Sequence, residues 1–134
     1  MATFPFELVT PERLQFSGAV DGVVIPGTEG DFEVLANHAP VMSTIRPGLI
    51  SVREAPGAQP RRIFVRGGFA EVGPTGLTIL AERAVPVEEL SSETLAAEVR
   101  MAEEDVEDAT TDAAKSQALQ KLGQLRDVQR AIAR

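Results

Sequence analysis

The chain has 134 residues, a single His, no Cys, Trp or Tyr, and a formal net charge of −7. This composition excludes disulfide staples, thiolate metal sites, cysteine nucleophiles and His-rich zinc sites, and the negative charge opposes binding to nucleic-acid phosphates. With 43% hydrophobic residues the chain can bury the core of one ordinary domain, or of a small domain with an appended element.

The first residues, MATFPFELVTPE, lack the basic flank and apolar centre of a signal peptide. No run reaches the roughly 20 apolar residues of a membrane span. A soluble protein on the cytoplasmic side is the expectation, without direct membrane insertion. Residues 1–86 then read as strands, with short apolar segments at close spacing and turn residues between them. The segments are Phe4–Val9, Gly22–Ile25, Asp31–Leu35, Val41–Ile45, Leu49–Arg53, Arg62–Arg66, Phe69–Val72 and Leu77–Leu80. Phe4, Phe6 and Leu8 alternate with Pro5, Glu7 and Val9, as a strand with one buried face requires. All nine Pro and ten of the eleven Gly fall in this half, most of them between the segments. No interval between segments is long enough for a crossover helix, which argues against a parallel sheet.

Within this half, Pro26 to Pro40 (PGTEGDFEVLANHAP) sets two turns around one short strand. Pro26, Gly27 and Gly30 make a tight polar turn, and Asn37-His38-Ala39-Pro40 breaks the pattern again. The two neighbouring loops carry Glu29, Asp31 and the only histidine, His38. They form either an ordinary hairpin tip or one exposed end that docks onto a partner. Further on, Glu54 to Pro60 reads as a longer, exposed hairpin tip.

At Pro86 the pattern changes to a helical period. Ser91 and Ser92 stand where an N-cap belongs and Glu93 falls in the favourable first turn. Leu95, Val99, Ala102, Val106 and Ala109 recur at intervals of four and three. Thr110-Thr111-Asp112 interrupts them and can cap a second helix, with Ala114, Ala118, Leu122, Leu125, Val128 and Ile132 along one side. Gly123 marks a candidate bend. Residues 91–109 hold seven acids and one base, whereas residues 112–134 hold five bases and two acids. An acidic helix is thus expected beside a basic one in an antiparallel hairpin, each exposed ion pair contributing only about 0–1 kcal/mol. The predicted fold is a β-sandwich domain over 1–86 followed by a two-helix hairpin domain over 87–134, α+β overall.

No catalytic constellation emerges. Asp31, His38 and Ser43 lie near one another in sequence, but no nucleophile-elbow turn surrounds Ser43. Neither glycine-rich turn has the form of a phosphate-binding loop opening a helix. The acidic run Glu103, Glu104, Asp105, Glu107, Asp108 lacks the glycine turn and ligand spacing of a calcium loop. An interaction protein without catalytic residues, cofactor or metal is expected.

The ordered series Phe16-Ser17-Gly18, Val24 to Phe32, Asn37-His38-Ala39-Pro40, Arg46-Pro47-Gly48, Gly67 to Val72 and Thr78 to Glu82 resembles the epsilon subunit of bacterial and chloroplast F-type ATP synthases. The resemblance spans nearly the whole chain. It implies a ten-strand β-sandwich with a C-terminal helical hairpin, the two strands not counted above falling at Leu14–Phe16 and Ala84–Val87. It implies a non-catalytic rotor subunit that joins the gamma subunit to the c-ring on the cytoplasmic face of the bacterial inner membrane, with no stable homo-oligomer. Glu29, Gly30, Asp31 and His38 are then the c-ring face, and the hairpin is a regulatory element reaching toward the catalytic alpha and beta subunits. Some family members bind ATP at the start of the hairpin through an Ile/Leu-Asp-x-x-Arg-Ala motif. The matching residues here run Leu90-Ser91-Ser92-Glu93-Thr94-Leu95, without the Asp, Arg and Ala, so weak or no ATP binding is expected. A competing reading is a free-standing β-sandwich adaptor that recruits partners or dimerises through its hairpin. An enzyme built around His38 requires a polar pocket that the sequence does not suggest.

Overall fold

The computed structural model describes residues 3–132. The chain forms two compact units, Met1–Pro86 and Val87–Arg134.

The first unit contains ten strands: β1 (Phe4–Val9), β2 (Leu14–Val20), β3 (Gly22–Gly27), β4 (Gly30–Val34), β5 (Val41–Ile45), β6 (Gly48–Arg53), β7 (Arg61–Val65), β8 (Gly68–Val72), β9 (Leu77–Ala81) and β10 (Ala84–Pro86). They pair in the order β10-β7-β6-β3-β5-β8-β9-β1-β2, with β4 added beside β3. The link from β3 to β5 is a single pair, Gly27 with Ile45. The ladder folds there into two layers, β10-β7-β6-β3-β4 and β5-β8-β9-β1-β2. Alternation along each strand sends one side chain in two into the space between them. Phe4, Phe6 and Leu8 of β1 meet Val23 and Ile25 of β3, Ile50 and Val52 of β6, and Leu77 and Ile79 of β9 in one buried cluster. Each such side chain contributes roughly 1.5–3 kcal/mol through burial, so this cluster holds the sandwich together.

The ten-strand sandwich implied by the resemblance is therefore present, including the two edge strands at Leu14 and Ala84. One pairing departs from the expectation drawn from connection lengths: β1 lies parallel to β9, Phe6 opposite Leu77 and Val9 opposite Leu80. A parallel pair needs a long connection, not specifically a helix, and here seven other strands make the crossover. Every other pairing is antiparallel.

In the second unit a short 3-10 turn over Val87–Glu89 precedes α1 (Ser92–Asp108) and α2 (Asp112–Ile132). The Ser91 hydroxyl caps α1 by accepting from the Thr94 amide at 3.0 Å, and the Thr111 hydroxyl accepts from the Ala114 amide at 3.1 Å. Leu95, Val99 and Ala102 are buried on α1, and Leu122, Leu125 and Val128 on α2. Ala114, placed on the stripe by its spacing, is exposed, so the packed seam lies away from the start of α2. Helix α2 runs unbroken through Gly123. Arg126 pairs with Glu103 at 3.0 Å, joining the basic helix to the acidic one, with both side chains about half exposed.

Candidate docking surfaces

The four loop residues singled out in the sequence come together. Glu29, Gly30, Asp31 and His38 line one open groove with Phe32, Val41, Met42 and Ser43. Strands β3 and β4 reach it through a two-residue turn, since Gly27 pairs with Gly30 across Thr28 and Glu29. Gly30 has φ of 134°, a conformation L side chains rarely adopt, which is why glycine closes this turn. On the second loop Asn37 takes φ of 66°, which asparagine tolerates better than most residues. The following His38 amide donates to the Leu35 carbonyl at 3.2 Å. His38 Nδ1 lies 2.6 Å from the Ala39 carbonyl oxygen. The carbonyl can only accept, so Nδ1 carries the proton and donates.

The end is rigidly built rather than merely polar. Asp31 Oδ1 accepts from Arg46 Nη2 at 2.5 Å, and Arg46 Nη1 donates to the Gly27 carbonyl at 2.5 Å. Asp31 is thus an ion-pair partner within the chain, although its side chain remains 60% exposed. Apolar groups also reach solvent here, with Met42 67% exposed and Val41 40%. Elsewhere in the sandwich Arg53 bridges Asp21 at 2.7 Å and Glu33 at 3.5 Å. The hydrogen bond with Asp21, aided by the charge of Glu33, raises the guanidinium pKa above its ordinary value. Like any arginine Arg53 is cationic at working pH, and its two ion pairs tie the end of β6 to β4 and to the turn before β3.

A second surface was not named from the sequence. On the outward face of the β5-β8-β9-β1-β2 layer, Thr44 lies opposite Phe69, Phe69 opposite Leu80, Leu80 opposite Val9, and Val9 opposite Leu14. Directly opposed residues stand close enough to share one surface. Phe69, Leu80 and Leu14 are 52%, 52% and 51% exposed. From Phe69 to Leu14 this is an apolar row across four strands on a solvent face, the kind of surface that partners cover. The signal was available in Gly68-Phe69-Ala70-Glu71-Val72, where Ala70 and Val72 occupy the buried phase and the large aromatic falls in the polar one. Among the described residues there is no group of three or more metal-ligating side chains, and no helix is long and apolar enough to cross a membrane.

Residues 3–87 match the family model for the ATP synthase, Delta/Epsilon chain, beta-sandwich domain. The chain is 55% identical over 127 residues to the ATP synthase epsilon chain of Parvibaculum lavamentivorans, covering 95% of this chain and 96% of that one. It is 48% identical over 118 residues to the ATP synthase epsilon chain of Rhodospirillum rubrum, covering 88% and 87%. A chain in the structure of the Euglena gracilis mitochondrial ATP synthase, OSCP/F1/c-ring, is similar with a TM-score of 0.77 and 25% identity, over 98% of this chain and 82% of that one. A chain in the central stalk/c-ring structure from Tetrahymena thermophila shares the fold at a TM-score of 0.74 and 16% identity, over 98% and 97%. The present chain belongs to the ATP synthase epsilon chain family and is a non-catalytic subunit of that enzyme.

Proposed function

We propose that this chain is the rotor subunit that joins the gamma subunit to the c-ring of a proton-translocating F-type ATP synthase, on the cytoplasmic face of the bacterial inner membrane. The observation that carries this reading is the presence of two docking surfaces of different chemistry on one stiff sandwich. The apolar row of Phe69, Leu80, Val9 and Leu14 suits a large, dry interface with a folded partner, here assigned to gamma. The loop end with Glu29, Gly30, Asp31 and His38 suits the polar loops of the ring. The two adjoin along β5, so one scaffold passes torque from one partner to the other. A sandwich with a continuous buried core resists the shear this requires.

Residues 1–86 and 87–134 act as separate domains in this reading, the sandwich coupling and the hairpin regulating. Three features support a regulatory hairpin able to extend toward the alpha and beta subunits. Its seam is short, its cross-helix ion pair is exposed, and Met101 and Leu119 are 53% and 50% exposed. Affinity isolation of the full chain from detergent-solubilised source membranes tests the assignment. Recovery of gamma, the catalytic subunits and the c-ring in stable ratio is expected. Recovery of none of them, with the chain eluting as a dimer, would favour the adaptor reading instead.

A further inference from the structure

Glu29 and Asp31 sit two residues apart on the same turn, yet their charges are committed differently. Asp31 is held by Arg46, and that guanidinium simultaneously holds the Gly27 carbonyl, each at 2.5 Å. The Arg46 amide donates to the Pro26 carbonyl at 2.9 Å and the Thr28 amide to the Thr44 carbonyl at 3.1 Å. The hydroxyls of Thr28 and Thr44 are 2.8 Å apart. Five hydrogen bonds therefore fasten residues 26–31 to residues 44–46, and the Arg46 side chain alone reaches both arms of the turn. Glu29 is exposed and has no ion pair or side-chain hydrogen bond among the described residues.

We infer that Arg46 is a positioning residue which fixes the hairpin tip, that Asp31 acts through Arg46, and that Glu29 is the acidic contact, received by a cationic side chain of the docked ring. This rests on the ring-facing reading of the loop end. A planar guanidinium can grip a carboxylate and a carbonyl at once, whereas an ammonium is a point charge that serves one direction better than two. Without the clamp, the exposed turn must be ordered at the moment of docking, and that entropy is subtracted from affinity. An acid already neutralised within the chain has little field left for a partner, which leaves Glu29 as the net charge on the tip.

The test uses the variants Arg46→Ala, Arg46→Lys, Asp31→Asn and Glu29→Gln, with two readouts. The first is amide hydrogen exchange at residues 28–31 in the purified full chain. Asp31→Asn is expected to speed it roughly tenfold, the loss of about one charge-assisted hydrogen bond, and Arg46→Ala, which also gives up the bond to the Gly27 carbonyl, by somewhat more. The double variant should add little further, Arg46→Lys should fall between, and Glu29→Gln should leave exchange unchanged. The second readout is protons pumped per ATP hydrolysed in inverted membrane vesicles carrying the whole complex. All four variants should lower it, Arg46→Lys least. Added salt should weaken coupling in the parent but not in Glu29→Gln, since only the parent retains the screened contact. Coupling lost in Asp31→Asn without faster exchange would make Asp31 itself the contact and overturn the inference. Full coupling in Glu29→Gln alone would do the same while leaving the ring-facing reading standing. Full coupling in every variant, with exchange altered as expected, would overturn both.

Discussion

Phe69→Ala separates docking from folding cleanly, because the ring lies on the outward face of β8 and is 52% exposed. A phenylalanine that is fully covered buries on the order of 200 Å². About half of that is still open here, so roughly 100 Å² remains for a partner to cover, worth about 2.5 kcal/mol at 25 cal/mol per Å². Truncation to alanine should therefore weaken binding to gamma by about 60-fold, taking 1.4 kcal/mol per decade. The unfolding midpoint should barely change, since neither Phe69 nor its neighbours Thr44 and Leu80 belong to the buried cluster. The assay is calorimetric titration of purified gamma with the full chain, accompanied by thermal unfolding of each variant. Gln59→Ala, in the exposed loop between β6 and β7, serves as the control and should bind within about twofold of the parent, as a surface change away from any contact does. Binding of Phe69→Ala within twofold of the parent, with unfolding unchanged, would refute the assignment of this face to gamma.

Other perturbations address the scaffold and the hairpin. At Gly68 a Cβ would stand 1.9 Å from the Leu80 carbonyl oxygen, and φ is 137°. Gly68→Ala should accordingly cost roughly 3 kcal/mol or more in urea unfolding. A loss under 1 kcal/mol would show that β8 and β9 can separate there freely. Leu125 is fully buried in the hairpin, and Leu125→Ala should cost about 2–5 kcal/mol. It should lower the melting temperature of the helical circular dichroism signal, and an unmoved helical melt would contradict the packing described. Titration with ATP should give no saturable binding at micromolar concentrations, because Leu90 to Leu95 lacks the Asp, Arg and Ala of the motif. Tight binding would overturn that expectation.

Much of this architecture is legible in the sequence because local signals agree with the tertiary result. The alternation of Phe4, Phe6 and Leu8 specifies the buried face of β1, and Ser91 and Thr111 announce the two helix starts. Strand β2 was harder to see in full. Its stretch Ser17-Gly18-Ala19 carries no large apolar residue because β2 lies on an exposed edge, and only Val20 at its end is buried. The parallel pairing of β1 with β9 has no local signature at all, being decided by how the two layers close. At the candidate site the sequence indicated which residues gather at the loop end. It did not indicate that Asp31 is spoken for, because the Arg46 contact spans 15 residues and depends on the corner where Gly27 meets Ile45. The apolar row was missed for a related reason. It is assembled from single residues on four strands, and each alone is an unremarkable surface side chain.

The most direct test of a subunit bridging two partners is site-specific photocrosslinking in native membranes, with a photoreactive amino acid at Phe69 in one variant and at Glu29 in another. The account predicts an adduct of the Phe69 variant with gamma and of the Glu29 variant with the c subunit. Adducts of both with one protein outside the rotor, or with a second copy of this chain, would contradict it.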